Sequence, residues 1–569
     1  MWQKLRWPLL IVLLALVAIG FLLINQQPVL QPALAPVVEP ATGGVYTEGL
    51  IGAMVRLNPL LDYYNSVDRD VDRLLFSGLV RFDDRGLPQG DLADSWGISK
   101  DGMVYNFSIR ANAVWHDLEP VTSDDVIFTI ERMREDESPL PDDLRALWKQ
   151  VEVVRLDEKT LQFRLPEPFS PFLDYLTFGV LPKHLMGDLT LQEMIDSPLN
   201  LKPIGSGPYQ FDQIIAAGDQ VAGVVLKAFP EYYGRRPYIE QLAFRYYPDS
   251  ASALAAYRAG EILGISQVPM DILMPALQES NLNIHTGRLP EITMIFLNLG
   301  NQQVPYFQEA AIRKALLSGL NRQRLIDRLL NGQALVANGP IFPGTWAYYE
   351  GAESIAYEPE AAKEALRKAG YTIPAEGGNI RQNTDGVALS FTLLHIDDTE
   401  AAAIAQAIRE DWLQIGVEVT LSPVSFEDMA AALDNRLYQA ALVTLNLSRS
   451  PDPDPYPFWH QAQKVGGQNY SQWDDRQASE YLEQARVTVD LTERTRLYRN
   501  FQVRFSQELP ALPLYYPVYR YAVDASVQGV RMGPLFDSSD RYNTIAEWYL
   551  VTRRSSGESS PTLTPSPAP

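Results

Sequence analysis

Over residues Asp91–Met133 the spacing of apolar residues changes from that of a strand to that of a helix. Over Tyr105–Arg110 every second residue is apolar, which predicts a strand with one buried face. The turn residues Lys100–Gly102 precede this strand. The polar run Thr122–Asp125 predicts the start of a helix, because apolar residues recur on one face of the segment after it. This stretch therefore predicts a strand, a loop and a helix in that order.

Similar patterns predict an α/β organisation for the rest of the chain. Val45–Thr47 has the pattern of a short strand, and Glu48 and Gly49 are predicted to form the loop at its end. The runs 151–156 and 160–165 predict a β-hairpin. Further strands are predicted at residues 290–298, 417–421 and 440–445, and further helices at residues 68–75, 400–415 and 426–433.

Length, charge and cysteine content narrow the class of protein. With 569 residues the chain is too long for one compact core, so at least two lobes are expected. The formal net charge of -22 argues against a nucleic-acid partner, because phosphates would be repelled. The absence of cysteine excludes disulfides, thiolate metal sites and cysteine nucleophiles.

The N-terminal segment predicts a membrane anchor or a signal peptide. Lys4 and Arg6 precede an apolar run over residues 8–24, which is near the minimum of about 17 residues that spans a bilayer. An uncleaved anchor is favoured over a cleaved signal peptide, since Pro36 directly follows the small-residue motif Ala33–Ala35. In both cases the rest of the chain lies outside the cytoplasm.

A pair of glycines, Gly205 and Gly207, marks a turn before Pro208. A phosphate-binding loop is the alternative interpretation of this pair. Such a loop requires a helix directly after it, whereas Tyr209–Phe211 has the pattern of a strand. A structural turn is therefore favoured.

Several sequence blocks occur in an order that is typical of one family. Residues 91–96 read DLADSW, residues 115–117 WHD and residues 122–128 TSDDVIF, with LPKH at 181–184 and GSGPY at 205–209. In this order they resemble the family 5 extracellular solute-binding proteins, the receptor subunits that hand peptides and other solutes to ABC importers. The resemblance covers nearly all of the globular chain.

The resemblance implies an α/β fold of two lobes, the type II periplasmic-binding-protein fold in the cluster that carries an extra domain. One N-terminal transmembrane or signal helix would precede it. The cleft between the lobes is expected to close on a solute by hinge motion where the chain crosses between them. The predicted domains are residues 1–25 as signal anchor or signal peptide, 26–42 as a proline-rich spacer, 43–291 as lobe I with an extra subdomain at about 71–185, 292–510 as lobe II, 511–552 as the return to lobe I and 553–569 as a disordered tail.

The resemblance also implies where a ligand would bind. The end of the first strand faces the cleft in the family, as do several loops of the second lobe. Aromatic residues in those loops would suit a sugar or an extended peptide, because their rings offer flat apolar faces. The predicted cleft residues are Thr47, Glu48, Gly49, Trp346, His395, Arg449, Asp452, Asp454, Tyr456 and Trp459.

Prolines at alternate positions shape the segment that contains Asp452 and Asp454. Proline has no backbone donor, so this segment cannot be an inner strand and is predicted to be a loop. The family carries a D-P loop here that borders the cleft. The alternatives are a rigid surface connection and a calcium site, for which the glycine and glutamate spacing of a calcium loop is missing.

Three positions depart from the family's pattern. Peptide-binding members carry an acidic residue at the position of Arg449, where it pairs with the peptide ammonium, and dipeptide binders carry an arginine at the position of His395. The dipeptide-gripping pair is thus missing. Oligopeptide is still the first expectation as the family's commonest cargo, while Arg449 favours an anionic, sugar-like or blocked ligand. Leu118 stands where relatives usually have glycine, so the resemblance leaves the geometry of this loop open.

The predicted function is that of an extracytoplasmic substrate-binding subunit, which delivers a small solute such as an oligopeptide or a sugar to an ABC permease. The permease subunits and the membrane, through the N-terminal helix, are the expected partners of a monomeric protein. The five histidines are too scattered for a metal site, and no metal or cofactor is expected. A membrane-tethered sensor is an alternative. A hydrolase on the same fold is another, although no G-x-S-x-G, H-E-x-x-H or Walker A motif occurs.

Overall fold

The computed structural model describes residues 37–555 apart from residues 84, 448–451 and 534, together with residues 13, 15–17 and 20. Most of the predicted anchor, residues 8–24, lies outside the described residues, as does the chain beyond residue 555. Within the described ranges, no helix is long and apolar enough to cross a bilayer.

Strands and helices of the described residues are numbered in chain order. The strands are β1 Val37–Ala41, β2 Val45–Ile51, β3 Val80–Phe82, β4 Pro88–Gly90, β5 Ala93–Ile98, β6 Val104–Ile109, β7 Glu152–Arg155, β8 Thr160–Arg164, β9 Tyr209–Ala217, β10 Gln220–Ala228, β11 Gln241–Tyr247, β12 Gly264–Ile265, β13 Leu282–Gly287, β14 Glu291–Leu297, β15 Ala334–Val336, β16 Ser390–Ile396, β17 Glu418–Val424, β18 Ala440–Asn446, β19 Ala511–Pro517, β20 Tyr519–Asp524 and β21 Val551–Ser555. The helices are α1 Ser66–Leu75, α2 Ser123–Met133, α3 Asp142–Gln150, α4 Lys183–Met186, α5 Leu191–Ile195, α6 Ser250–Arg258, α7 Met270–Leu277, α8 Ala310–Ser318, α9 Arg322–Leu329, α10 Pro359–Lys368, α11 Thr399–Gln414, α12 Phe426–Asp434, α13 Tyr456–Trp459, α14 Arg476–Val487 and α15 Leu491–Glu508.

Two units make up the chain. In one, β1 and β21 form an antiparallel pair. These strands include residues 37–41 and 553–555, which the sequence pattern predicted as parts of the spacer and the tail. The other unit, residues 42–550, contains all the elements described below.

A seven-stranded mixed sheet forms the base of lobe I, the name used here for the part of the chain built on it. Its strand order is β13-β20-β12-β2-β11-β10-β9. The central strand β2 pairs in parallel with β11 and β12, whereas the other pairs are antiparallel. An antiparallel sheet of order β5-β6-β8-β7 is inserted between β2 and β9. We call this sheet, with α2, α3 and the 3-10 segment Ser170–Leu176, the inserted subdomain, and it lies within the extra subdomain predicted at about 71–185.

A six-stranded sheet of order β15-β19-β14-β18-β16-β17 forms the base of lobe II. Alternate side chains of β14 enter two different cores: Ile295 and Leu297 enter one, and Met294 and Phe296 enter the other. A strand buried on both faces needs apolar residues at every position. This requirement explains the continuous apolar run of β14.

The chain crosses between the two sheets twice. It enters lobe II between β13 and β14, close to the predicted boundary at residue 292, and returns between β19 and β20. The return therefore lies at Val518, although residues 511–552 were predicted to belong to lobe I. Pro513 of β19 pairs with Met294 at a shift in register. Such a bulge accommodates a residue without a backbone donor, so the proline-rich run continues as a strand.

The WHD and GSGPY blocks interlock inside lobe I. The backbone N–H of Gly205 donates to His116 Nδ1 at 3.0 Å, and His116 Nε2 donates to the carbonyl of Gly207 at 3.2 Å. A Cβ atom on Gly205 or Gly207 would lie 1.9 or 2.3 Å from a carbonyl oxygen of α1. The prediction of a structural turn entering β9 is thereby confirmed.

The predicted helix start at Thr122 is also confirmed. Asp125 Oδ2 accepts a hydrogen bond from the Thr122 backbone N–H at 2.7 Å, which satisfies one donor at the helix terminus. The other oxygen of Asp125 accepts from the Lys183 backbone N–H at 2.9 Å. The helix start thus fixes the LPKH block beside it.

Candidate functional site

Lobe I contains a cavity of about 320 Å³. We call it the lobe I cavity. Its wall is formed by α1 and the loop before it, by the inserted subdomain and by residues 536–543. A volume of this size lies at the lower end of the range of about 300–1,000 Å³ that is usual for small-molecule sites.

One side of the lobe I cavity is apolar. It comes mainly from α2, α3 and the segment that follows the 3-10 turn of the inserted subdomain. Trp148 is buried and packs edge-to-face on Phe178, with 5.6 Å between ring centroids. The apolar residues on this side are Met133, Leu140, Leu144, Trp148 and Phe178.

The other side of the cavity is polar and acidic. Five aspartates and two arginines line the cavity. Arg69 Nε donates to Asp537 at 2.9 Å, and Arg73 donates to Asp540 at 3.3 Å. Carboxylates are therefore in excess over guanidinium groups. The aspartates are Asp62, Asp72, Asp174, Asp537 and Asp540.

Asp72 has the most unusual environment of these carboxylates. Its side chain is almost completely buried, and neither oxygen has a hydrogen-bond partner of good geometry among the described residues. Burial, followed by the negative charges of Asp62 and Asp68, holds the pKa of Asp72 well above its ordinary value. This environment therefore favours the neutral form of the Asp72 carboxyl group over the charged form.

Glu48 lies in a buried network rather than in a loop. The predicted loop at Glu48 and Gly49 is wrong, since β2 continues to Ile51. Glu48 accepts hydrogen bonds from Tyr521 at 2.6 Å and from Arg541 at 2.9 Å. A charged residue is tolerated inside the strand because this arginine neutralises it.

Thr47 and Gly49 occupy the same strand as Glu48. Thr47 is half-buried, and its carbonyl accepts from the Leu263 backbone N–H at 2.7 Å. Gly49 is buried, and a Cβ atom there would lie 2.8 Å from Ile262 Cδ1.

Buried ion pairs hold the D-P loop of lobe II in place. Arg494 and Tyr498 of α15 both donate to the carboxylate of Asp452. Arg486 of α14 donates to both oxygens of Asp454, at distances of 2.6 to 3.1 Å. The loop is therefore shaped by two carboxylate–arginine pairs.

The D-P loop also contacts the wall of the lobe I cavity. The backbone N–H of Asp452 donates to Asp174 Oδ2 at 2.7 Å. Asp174 belongs to the 3-10 segment of the inserted subdomain and lines the cavity. A segment of lobe II thus adjoins the cavity through this hydrogen bond.

The predicted aromatic residues lie around the same two arginines. Arg494 lies over the ring of Trp346, with 5.1 Å to its centroid, and Arg486 lies over the ring of Tyr456 at 4.0 Å. Both rings are only partly buried. Tyr456 was predicted to lie in a loop but begins the short helix α13, whose prolines fall at its start, where a missing donor is harmless.

Two further predicted residues are placed differently from the prediction. Trp459 ends α13, not a loop, and its buried ring stacks on Phe296. His395 is buried in β16, with its Nδ1 at 2.8 Å from the carbonyl of Ile396. Arg449 lies outside the described residues. In the described ranges, no cluster of three His, Asp or Glu side chains is placed to hold a metal ion.

The acidic residues of the cavity were not found from the sequence. Asp72 lies between the apolar residues Val71 and Leu74 of α1. A polar residue between the apolar positions of a helix is common and does not by itself indicate a site. Only the fold places the inserted subdomain and residues 536–543 against this face of α1. The one available signal was the density of aspartates in the α1 segment.

Known proteins resemble the chain over most of its length. The oligopeptide-binding protein AppA of Bacillus subtilis is 26% identical over 527 residues, covering 90% of this chain and 93% of that protein. The dipeptide-binding protein of Escherichia coli is 25% identical over 468 residues, covering 78% of this chain and 84% of that protein. The solved structure of Bacillus subtilis AppA in complex with a nonapeptide matches with a TM-score of 0.65 at 25% identity, covering 90% of this chain and 100% of that one.

A family profile gives the assignment. The profile of bacterial extracellular solute-binding proteins, family 5 (middle region), matches residues 88–468. This range contains the inserted subdomain and most of lobe II, and the mixed α/β fold agrees with it. The chain belongs to the family 5 bacterial extracellular solute-binding proteins.

Proposed function

We propose that this protein is the extracytoplasmic substrate-binding subunit of an ABC importer, which captures a peptide and delivers it to a permease. Family membership supports solute binding, and the relatives named as oligopeptide- and dipeptide-binding proteins support a peptide as the ligand. The observation that carries the proposal is the hydrogen bond between Asp452 of lobe II and Asp174 of the cavity wall. It brings a loop of one lobe to a cavity of the other.

Closure of the two lobes on the peptide would control its delivery to the permease. The chain passes between the two sheets at residues 288–290 and at Val518. A few residues at such crossings absorb the backbone rotation of a hinge. The permease would then distinguish the closed, loaded form from the open form by its different affinity for the two.

The partly exposed rings of Trp346 and Tyr456 are the predicted cleft residues best placed to contact a ligand. Each is held by an arginine that also pairs with the D-P loop. Replacing Trp346 by alanine should therefore weaken peptide binding, as measured by titration calorimetry. An unchanged affinity would remove this residue from the site.

Attachment to the membrane by residues 8–24 is part of the proposal. The basic residues before this apolar run support an uncleaved anchor with its N-terminus in the cytoplasm. The intact mass of the protein from its native membrane tests the point. A mass that lacks the first residues would show cleavage instead.

Uptake in the native cell tests the import function. Deleting the gene should abolish energy-dependent uptake of a labelled tripeptide, and the intact gene should restore it. If the purified protein binds the tripeptide while uptake is unchanged by the deletion, the protein is a sensor rather than an importer subunit.

A further inference from the structure

One face of α1 lines the polar side of the lobe I cavity. Arg69 lies three positions before Asp72 and four before Arg73, and all three side chains line the cavity. This face of α1 therefore presents two cations and one buried carboxyl group to the cavity.

Both arginines have partners in the C-terminal segment of lobe I. Arg69 pairs with Asp537, and Arg73 donates to Asp540 and to Asn543, the latter at 3.1 Å. The charges that act most strongly on Asp72 are the negative charges of two other aspartates. Neither guanidinium group thus serves as the counter-charge of Asp72.

Asp72 lacks the partners that a buried carboxyl group needs. Neither of its oxygens accepts a hydrogen bond of good geometry within the described part of the chain, and the Asn58 backbone N–H, which lowers the pKa of Asp72, is the weakest of the groups that act on it. An unsatisfied buried polar group costs about 1–3 kcal/mol, and more when it is charged. Native structures supply such a group with a protein, water or ligand partner. The hydroxyl of Tyr246, which is electrostatically coupled to Asp72, also lacks a partner, so a bridging water is the alternative to a ligand.

The other residues that line the cavity indicate which kind of ligand would bind beside Asp72. The excess of aspartates over arginines repels anionic groups. The opposite side, with Trp148 and Phe178, offers apolar surface to a hydrophobic body. The volume of about 320 Å³ admits a group of the size of one large amino-acid residue.

We propose that the lobe I cavity binds a protonated amine attached to an apolar group, with Asp72 as the counter-charge of the ammonium. The amine is the N-terminal ammonium of a peptide or a lysine-like side chain, since both present the same chemistry. This proposal rests on the proposed function, whose ligand class it specifies. It places cation recognition in lobe I.

Proton linkage follows from the geometry. Burial and nearby carboxylates raise the pKa of Asp72 and so favour its protonated form when no cation is bound. An ammonium that takes the place of this proton releases it, so affinity rises with pH until the amine itself deprotonates. The other charged or titratable side chains that line the cavity or face Asp72 are Asp62, Tyr63, Asp68, Arg69, Arg73, Asp174, Tyr175, Tyr246, Asp537 and Asp540.

The test compares three tripeptides on the full-length protein and on two variants. Phe-Ala-Ala carries a terminal ammonium, its N-acetylated form carries none, and N-acetyl-Phe-Ala-Lys carries one on its side chain. Asp72→Asn keeps the shape of the site and removes the charge, whereas Asp219→Asn makes the same change at an exposed residue of a turn. Calorimetry in two buffers of different ionisation enthalpy measures affinity and proton release together.

The expected result is a loss of about 10- to 100-fold in affinity for the ammonium-bearing peptide in Asp72→Asn, with proton release only in the wild type. The Asp219→Asn variant should behave as the wild type. The peptide that binds best identifies the source of the amine. If Asp72→Asn binds all three peptides as the wild type does, Asp72 holds a water or a structural proton only, and the inference fails while the proposed function stands. If the wild type binds no peptide, both fail.

Discussion

Leu118 adopts a backbone conformation that suits glycine. Its φ angle is 75°, and its backbone N–H closes a turn to the carbonyl of Trp115 at 2.8 Å. The resemblance left the geometry of this loop open, because relatives usually have glycine at this position. The loop adopts a positive φ here, and Leu118 bears the strain.

Replacing Leu118 by glycine should raise the free energy of unfolding by about 0.5–1 kcal/mol. The left-handed conformation costs a non-glycine residue roughly 1–2 kcal/mol, and the greater flexibility of unfolded glycine offsets part of the gain. The leucine side chain is 60% exposed, so little packing is lost. Urea denaturation measures the change. Leu118→Ala is the control, since it keeps the Cβ atom, and a gain of equal size in that variant would contradict the explanation.

At the scale of elements, one arginine connects four parts of lobe I. Arg541 of the 3-10 segment Ser538–Tyr542 donates to Glu48 of β2 and Asp70 of α1, and lies over the ring of Tyr521 of β20. All of these charged groups are buried. The cluster fixes the C-terminal segment against the central strand of the sheet.

Replacing Arg541 by methionine should destabilise the protein by about 3–5 kcal/mol, because two buried carboxylates lose their cation. The loss should shrink as the pH falls, because burial already raises the pKa of Asp70 and its protonated form needs no cation. Denaturation at pH 7 and pH 5 measures both effects. A loss below about 1 kcal/mol at pH 7 would contradict the structural role given to this cluster.

The contact between the WHD and GSGPY blocks makes stability depend on pH. Burial lowers the pKa of His116 to about 4, whereas an unfolded histidine titrates near 6.5. The neutral ring is the one that both accepts from Gly205 and donates to Gly207. The contribution is therefore complete above pH 6.5 and is lost as the pH falls from 6.5 to about 4.

Replacing His116 by glutamine should remove this pH dependence. Over that interval the wild type should lose about 3 kcal/mol more than the variant, at 1.36 kcal/mol per pKa unit. Parallel stability curves for the two proteins between pH 7 and pH 4 would show that His116 titrates normally in the fold.

Sequence patterns predicted best those elements whose formation depends on residues close by in the chain. The helix at Thr122 and the turn before Tyr209 are of this kind, since capping and glycine freedom are local effects. The continuation of β2 through Glu48 was missed because the arginine that neutralises it lies far along the chain. The strand at Pro513 was missed because only a bulge in the pairing with β14 makes it possible.

At the scale of the whole molecule, lobe II contacts lobe I through several hydrogen bonds, two of which reach the inserted subdomain. Asp452 N–H donates to Asp174 at 2.7 Å, Ser170 Oγ donates to the carbonyl of Thr488, and Trp346 N–H donates to the carbonyl of Arg85 at 3.3 Å. These bonds join parts that the hinge would separate. No sequence pattern predicts them, because they depend on how two lobes meet.

Replacing Asp174 by alanine should weaken peptide binding by about 5- to 10-fold, since the closed form loses one hydrogen bond worth about 1 kcal/mol. The melting temperature should change little if the bond contributes to closure rather than to folding. Asp188→Ala, at an exposed aspartate of lobe I, is the control. Equal affinities in the two variants would contradict the role of this bond in closure.

The measurement that tests the account most directly is native mass spectrometry of the gently purified full-length protein, with identification of any bound small molecule. The account predicts a series of masses that match peptides with a free amino group. A single bound species that is not a peptide, or one that carries no amine, would contradict both the proposed ligand class and the role of the lobe I cavity.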